Sequence, residues 1–306
     1  MDANAHALSF DRHRALLFSV AYRMTGSLHD AEDIVQDVWL RYIRTPLAKI
    51  NDEKFFLIRL ATRAAIDALR KLKRERQAYK GVWLPDAVLD DYMHDAQLDY
   101  ERRDAISYAL LHTMERLNPV ERAAFLFRDV FDYDYAEVAR ILDRSETACR
   151  KLVSRARVLV KDSRVRFKVD PAAADKLLWA FLRSAGSGDL VGLERLLSED
   201  ARLFTDGGGK VKAAILPIRT RRKVARFLVG VAKKRSRLAL LVRTQINGET
   251  GFLVVRNGHV QNILQLSLNE AGVDAVRTMI NPAKLPLHLR IKLRFMDYLN
   301  MLKLLL

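Results

Sequence analysis

The hydrophobic period changes once along this chain of 306 residues, and that change limits its fold more than any single motif does. From Leu8 to about Arg76, and again from about Arg103 to Phe167, apolar residues recur at steps of three and four, which gives a helix one buried face. Pro171 opens a third section with two more amphipathic helical stretches, through Leu197. The pattern then turns strand-like, in the runs Leu238 to Ile246, Gly251 to Arg256 and His259 to Leu268. Asn247-Gly248 and Asn257-Gly258 stand between these runs, and Asn-Gly suits a tight hairpin because both residues tolerate positive φ. The expected class is multidomain: two all-α modules at 8–76 and 103–167, then an α+β module at 171–285. A segment at 77–102 with Gly81, Pro85 and an acidic cluster reads as a linker, and 286–306 as a tail.

Half of the residues are hydrophobic, so the chain can bury cores and does not fit a disordered protein. Lys and Arg number 53 against 37 Asp and Glu, a net charge of +16 that attracts polyanions. The single cysteine, Cys149, rules out a disulfide within the chain and a multi-cysteine zinc site. The first ten residues carry no signal-peptide core, and no uncharged apolar run is long enough for a transmembrane helix. The expected setting is cytoplasmic, with no cofactor and no metal.

Ser27 and Asp30 have capping spacing ahead of a helix whose buried stripe is Ala31, Ile34, Val35, Val38, Tyr42 and Ile43. Glu32, Asp33, Gln36 and Asp37 lie off that stripe as an acidic patch on a basic protein. By residue type alone the patch reads first as a solvated face with acids near the positive end of the helix dipole. A second helix, Phe55 to Glu75, has the apolar stripe Leu57, Leu60, Ala61, Ala64, Ala65, Ala68, Leu69 and Leu72. Its outer side carries Arg59, Thr62, Arg63, Asp67, Arg70, Lys73 and Arg74, cations hardly balanced by acids. Such a row follows a phosphate backbone, and Thr62 and Arg63 are placed to reach bases.

A short helix from Tyr135 to Leu142, a tight turn at Asp143-Arg144-Ser145-Glu146 and a helix from Thr147 to about Val160 have helix-turn-helix spacing. Ala148, Leu152, Ala156, Leu159 and Val160 are expected to face inward. Thr147, Arg150, Lys151, Ser154 and Arg155 are expected to face outward, where Arg and Lys read guanine edges and Ser or Thr serves base or phosphate. Cys149 is expected to pack rather than react.

Together these residues resemble an extracytoplasmic-function sigma factor. Asp30-Ala-Glu-Asp-Ile-Val-Gln-Asp-Val-Trp-Leu40 is similar to that family's core-binding helix, which implies that Glu32, Asp33, Gln36 and Asp37 contact RNA polymerase core and replaces the solvated-face reading. Phe56-Leu-Ile-Arg-Leu-Ala-Thr-Arg63 with Ile66-Asp-Ala-Leu-Arg70 resembles the helix that opens and reads the proximal promoter element, implying roles for Arg59, Thr62, Arg63, Asp67 and Arg70 on duplex promoter DNA and its melted single strand. Leu117-Asn-Pro-Val-Glu-Arg122 and the helix-turn-helix resemble the module that reads the distal element, implying roles for Ser145, Thr147, Arg150, Lys151, Ser154 and Arg155.

The continuation past Phe167 looks like a SnoaL-like domain, a cone-shaped α+β fold with a curved sheet, as carried by a subgroup of these sigma factors. Tyr79-Lys-Gly-Val-Trp-Leu-Pro-Asp86 is similar to the subgroup's Trp-Leu-Pro-Glu motif, and Asp206-Gly-Gly-Gly-Lys210 matches its Asp-Gly-Gly-Gly motif. Asn281-Pro-Ala-Lys-Leu285 is similar to its Asn-Pro-Asp-Lys-Leu motif, with Ala283 in place of the acid. The resemblance implies control in cis through an interface of Trp83, Leu84, Pro85, Asp206, Gly207, Gly208, Gly209, Lys210, Asn281, Pro282, Lys284 and Leu285. A tryptophan is expensive to leave exposed, so Trp83, Leu84 and Pro85 are expected to dock on the C-terminal domain near the glycine turn.

SnoaL-like domains include polyketide cyclases, yet from Gly207 to Gly248 there is no Asp or Glu, and neither His259 nor Asp206 has an evident catalytic partner. The expectation is therefore no enzyme; a small ligand in the domain is compatible with the fold and unnamed by the sequence. The acid-free stretch is strongly basic, from Lys210 to Arg243, and suits upstream DNA, the acidic linker at Asp90, Asp91 and Asp95, or a solvated helix. The tail is expected to form a packed helix, with a membrane-surface helix as the alternative. The reading is a promoter-specificity subunit. Its rivals are an operator-binding regulator independent of polymerase, which has no need of the acidic helix, and a pocket enzyme tethered to DNA.

Overall fold

The computed structural model describes residues 2–89, 106–164, 171–234 and 239–286. It divides into two compact units. One holds the residues up to Ala78 and those from Ile106 to Arg164; the other holds Tyr79 to Leu89 and the residues from Pro171 onward.

The first unit begins with α1 (Asp2–Thr25), α2 (Leu28–Tyr42) and α3 (Glu53–Gln77). Gly26, at φ 70°, stops α1 in the left-handed conformation that glycine adopts without strain. Ser27 then caps α2, its hydroxyl accepting from the Asp30 amide at 3.3 Å. Leu17, Ala21, Val38, Tyr42, Leu57 and Ala61 are among the buried side chains that join the three helices.

Next come α4 (Tyr108–Met114), α5 (Pro119–Phe125), a π-helical turn (Leu126–Val130), α6 (Tyr135–Leu142) and α7 (Glu146–Arg164). Asn118 with Glu121, and Asp134 with Glu137, form capping boxes that start α5 and α6. Asp143, at φ 56°, ends α6 and turns the chain into α7. The buried face of α7 is Cys149, Val153, Ala156 and Val160, which corrects the expected stripe: Leu159 is 36% exposed and Leu152 half-buried. The helix is rolled by about one position because its face is set by packing on α4, α5 and α6 together.

The second unit contains α8 (Pro171–Ser187), α9 (Leu190–Leu196), β1 (Leu197–Asp206), β2 (Ile218–Arg219), α10 (Arg221–Lys234), β3 (Leu240–Ile246), β4 (Glu249–Arg256), β5 (His259–Asn269) and β6 (Gly272–Met279). The sheet order is β2-β1-β6-β5-β4-β3, with β1 and β6 parallel and the other pairs antiparallel. Asn247 and Gly248, at φ 50° and 72°, close one hairpin; Asn257 and Gly258, at 52° and 78°, close the next. Register shifts at Val254/Val255 and Ser267/Leu268 bend the sheet. Its inner face packs Phe252, Leu264 and Val276 on Leu178, Phe181 and Val224 of the helices. This is the expected α+β architecture, with β1, β2 and β6 added to the three strands read from sequence. Among the described residues no helix is long and apolar enough to cross a membrane.

Candidate functional site

On α2 the residues Glu32, Asp33, Gln36 and Asp37 are all exposed, opposite the buried Ala31, Ile34, Val35 and Val38. Asp33 lies 3.7 Å from the exposed His29. Beside them a cavity of about 350 Å³ is lined by Leu8, Phe10, Val35, Gln36 and Trp39, and Leu8 and Leu40 are 67% and 50% exposed. This apolar border to an acidic face escaped the sequence reading, because an exposed leucine has the same local signature as a buried one.

On α3, Arg63, Asp67 and Arg70 are exposed and Arg59 is half-buried. Thr62 corrects the expected outer face: it is fully buried, and its hydroxyl donates to the Ile58 carbonyl at 2.7 Å. Ile58 is buried with it, while Leu60, Ala64 and Ala68 of the expected stripe are only half-buried. The helix packs on α1 and α2 on one side and on α5 and α6 on another, so its covered surface is wider than the sequence stripe and includes Thr62. A threonine buries there without loss because back-bonding to the preceding turn satisfies its hydroxyl.

On α7 and the turn before it, Ser145, Thr147, Arg150, Lys151, Ser154 and Arg155 are all exposed. Ser145 accepts from the Ala148 amide at 3.2 Å and so caps α7. Arg150 lies over the Tyr135 ring at 4.2 Å and pairs with Glu146 at 3.2 Å, which holds it on the helix surface. Cys149 is buried, and desolvation raises its thiol pKa, as suits packing rather than reactivity.

The helices of the first unit are tied together by charge. Glu115 takes both Arg76 and the buried Arg122, and Arg122 Nε also donates to the Arg23 carbonyl at 3.1 Å. Burial lowers the Arg76 pKa, with Glu115 opposing that shift. Phe55 of α3 meets Tyr133 edge-on and carries Arg140 over its face at 4.3 Å. Arg63 reaches Asp143, at the turn before α7, at 3.3 Å. A candidate promoter contact on α3 is therefore joined to the helix-turn-helix.

In the second unit the segment Tyr79 to Leu89 is a strap along the sheet domain. Asp206, at the end of β1, has no exposed surface. Its carboxylate accepts from the Tyr79 hydroxyl, from the Leu84 amide at 2.9 Å, from the Gly208 amide at 3.0 Å and from the Lys284 ammonium at 3.0 Å. Lys284 also donates to the Leu84 carbonyl and lies over the Trp83 ring at 3.9 Å. Asn281 donates to the Tyr79 oxygen at 3.0 Å. Burial and the neighbouring Asp206 raise the Tyr79 pKa, keeping the hydroxyl a donor.

The three glycines answer to this packing. A Cβ on Gly207 would sit 2.7 Å from the Val211 carbonyl oxygen; Gly208 and Gly209 have φ 62° and 69°, and a Cβ on Gly208 would collide with Asn281. Leu84 and Pro85 are buried, Trp83, Pro282 and Leu285 half-buried, and Lys210 and Ala283 exposed. Farther along, Val88 exchanges bonds with Asn247: its amide donates to the side-chain oxygen at 3.1 Å and its carbonyl accepts from the Asn247 amide at 2.9 Å. Sequence reading treated Asn247 only as a hairpin residue and left Tyr79 out of the site. A hydroxyl 127 residues from its carboxylate leaves no local signal.

Of the basic stretch, Arg221, Arg222, Lys223 and Arg226 are exposed on α10 opposite the buried Val224, Ala225 and Val229. Arg243 pairs with Asp175 at 2.9 Å. Asp90, Asp91, Asp95, Arg235, Arg237 and the tail after Pro286 lie outside the described residues.

Known proteins match both units. The Sigma-70 region 2 family matches residues 10–75, and the Sigma-70, region 4 family matches residues 107–160, so the helical unit is that of a sigma-70-type transcription factor. The ECF RNA polymerase sigma factor SigJ of Mycobacterium tuberculosis is 35% identical over 288 residues, covering 90% of this chain and 91% of that protein. The probable ECF RNA polymerase sigma factor SigI of the same organism is 29% identical over 287 residues, covering 89% and 92%. The crystal structure of M. tuberculosis SigJ superposes with a TM-score of 0.73 at 31% identity, over 92% of this chain and 99% of that one. The chain belongs to the extracytoplasmic-function RNA polymerase sigma factors.

Proposed function

We propose that this sigma factor directs RNA polymerase core to its promoters and that its C-terminal unit controls it in cis. In this reading Glu32, Asp33, Gln36 and Asp37 grip polymerase. Arg59, Arg63, Asp67 and Arg70 serve the proximal promoter element and its melted strand, with Thr62 supporting their helix from inside. Thr147, Arg150, Lys151, Ser154 and Arg155 enter the major groove of the distal element, with Ser145 at the helix start. Exposure on one face of each helix, with a cap or ion pair holding several of these side chains, supports the assignment.

One observation carries the control in cis: the buried Asp206 carboxylate binds the strap through Tyr79 and Leu84. The strap is part of the only covalent route from region 2 to region 4, since it follows Ala78 and precedes Ile106. Held at Tyr79, Leu84 and Val88, that route has less free chain with which to separate the two modules. Trp83, Leu84, Pro85, residues 206–210, Asn281, Pro282, Lys284 and Leu285 form the controlling interface. The C-terminal domain is non-catalytic in this reading. Its candidate acid, Asp206, has its carboxylate engaged by four donors, which suits a clamp.

Run-off transcription with purified core polymerase tests both parts, comparing the full chain, Trp83→Ala and a chain ending near Phe167. Promoter-dependent transcript is expected to shift about fivefold or more in both altered chains, the equivalent of about 1 kcal/mol in promoter engagement. Equal yields from all three would sink control in cis; failure of the full chain to co-elute with core polymerase would sink the sigma assignment.

A further inference from the structure

The inner face of the sheet is filled by Phe252, Leu264 and Val276 at one end and left open at the other. Continuing along the same strands, Val254, Arg256, Val260 and Ile280 line a cavity of about 460 Å³ in place of packed core. Lys212 and Lys234 stand at its edge, and among the described residues no carboxylate lines it. None of these three cations has an ion pair among the described residues. Arg256 Nε is buried without a hydrogen-bond partner, which leaves a charged donor pointed at nothing.

Arg256 carries the unmet demand, because its Nε is buried without an acceptor, while the exposed Lys212 and Lys234 add positive potential at the rim. A helical or grooved polyanion such as DNA does not suit a concave apolar wall. A small anion with an apolar body does: its head meets Arg256 and the lysines, and its body covers Val254, Val260 and Ile280. The volume is that of a site for a drug-sized ligand. We propose that this cavity binds an organic anion, one carboxylate or sulfonate head on an aromatic or aliphatic body.

The site is wired to the strap through one segment. Pro282 and Leu285 wall the cavity, while Asn281 and Lys284, interleaved with them, hold Tyr79 and Leu84. Occupancy therefore bears on the residues that grip the strap. That last step rests on the control in cis proposed above; the binding itself does not.

The full chain is titrated with 8-anilinonaphthalene-1-sulfonate and, separately, with N-phenyl-1-naphthylamine, the same body without the charge, following probe fluorescence. The sulfonate is expected to saturate one site and to bind more tightly than the neutral probe. Arg256→Gln weakens the sulfonate about tenfold or more, the loss of one charge-assisted hydrogen bond, and barely changes the neutral probe. Val254→Trp, which fills the hollow, abolishes both with unchanged circular dichroism, and dodecanoate displaces the sulfonate. Equal affinity for the two probes would overturn the proposal. So would sulfonate binding that survives Arg256→Gln and Lys234→Gln, or its displacement by duplex DNA at the same concentration. No polymerase is present in these titrations, so their outcome is independent of the sigma assignment.

Discussion

The strap site of the C-terminal unit hides its charge, whereas the helix faces of the N-terminal unit display theirs. Asp206 is fully buried and is held by donors from Tyr79, Leu84, Gly208 and Lys284. Lys151 and Arg155 on α7 are exposed, and among the described residues neither has an ion pair. Away from water a carboxylate interacts strongly, and losing one partner strands the others, so the group acts as a clamp. In water a cation is cheap to keep and remains available to a phosphate. Solvent exposure thus separates a charge that clamps the fold, as Asp206 does here and Glu115 does in the first unit, from one left available for the recognition proposed for Lys151 and Arg155.

That contrast can be broken by experiment. Asp206→Ala removes the carboxylate that pairs with Lys284 and accepts from the Leu84 amide, and is expected to destabilise the C-terminal unit by about 3–5 kcal/mol in denaturant unfolding. The salt dependence of DNA binding should stay the same. Glu115→Ala strands the buried Arg122 and the partly buried Arg76 in the first unit and is expected to cost about 2–3 kcal/mol. It should also raise the rate of proteolysis between region 2 and region 4, since Glu115 joins them. A loss under 1 kcal/mol in either variant would mean that these buried carboxylates are not clamps.

Lys151→Ala should do the reverse. Unfolding is expected to stay within about 0.5 kcal/mol of the parent. The slope of log affinity against log salt for promoter DNA should fall by about one unit, the signature of one lost phosphate contact. The smallest effect is at alkaline pH. Tyr79 holds its proton more tightly folded than unfolded, because burial and Asp206 raise its pKa. Its contribution is fully present below the ordinary tyrosine pKa of about 10 and is lost as pH rises above that value. Tyr79→Phe is expected to flatten the alkaline limb of the C-terminal unit's stability curve, and an unchanged limb would remove Tyr79 from the clamp's proton balance.

Much of this molecule was legible residue by residue. Ser27 marks the helix start it caps, and the two Asn-Gly pairs close the two hairpins. The acids of α2 and the cations of α7 lie on exposed faces because helical spacing alone separates them from the apolar positions. The rotation of α3 and α7 was not legible. Thr62 and Val153 are buried by neighbouring helices whose approach direction no single-helix pattern contains. β1 was hidden by Ser198, Glu199 and Asp200, which interrupt its alternation, and by a register irregularity between Leu197 and Arg202.

What the sequence by itself determined is what a few adjacent residues can settle through capping, turn conformation and hydrophobic period. The tertiary structure alone decided that Asp206 is a buried clamp, since its partners Lys284 and Tyr79 lie 78 and 127 residues away. It alone paired β1 with β6 in parallel and left the sheet's open end lined by Arg256, Lys212 and Lys234. Such contacts form only after distant segments have closed and packed. Their energy depends on the burial that results, and that burial is a property of the assembled fold and of no window in the chain.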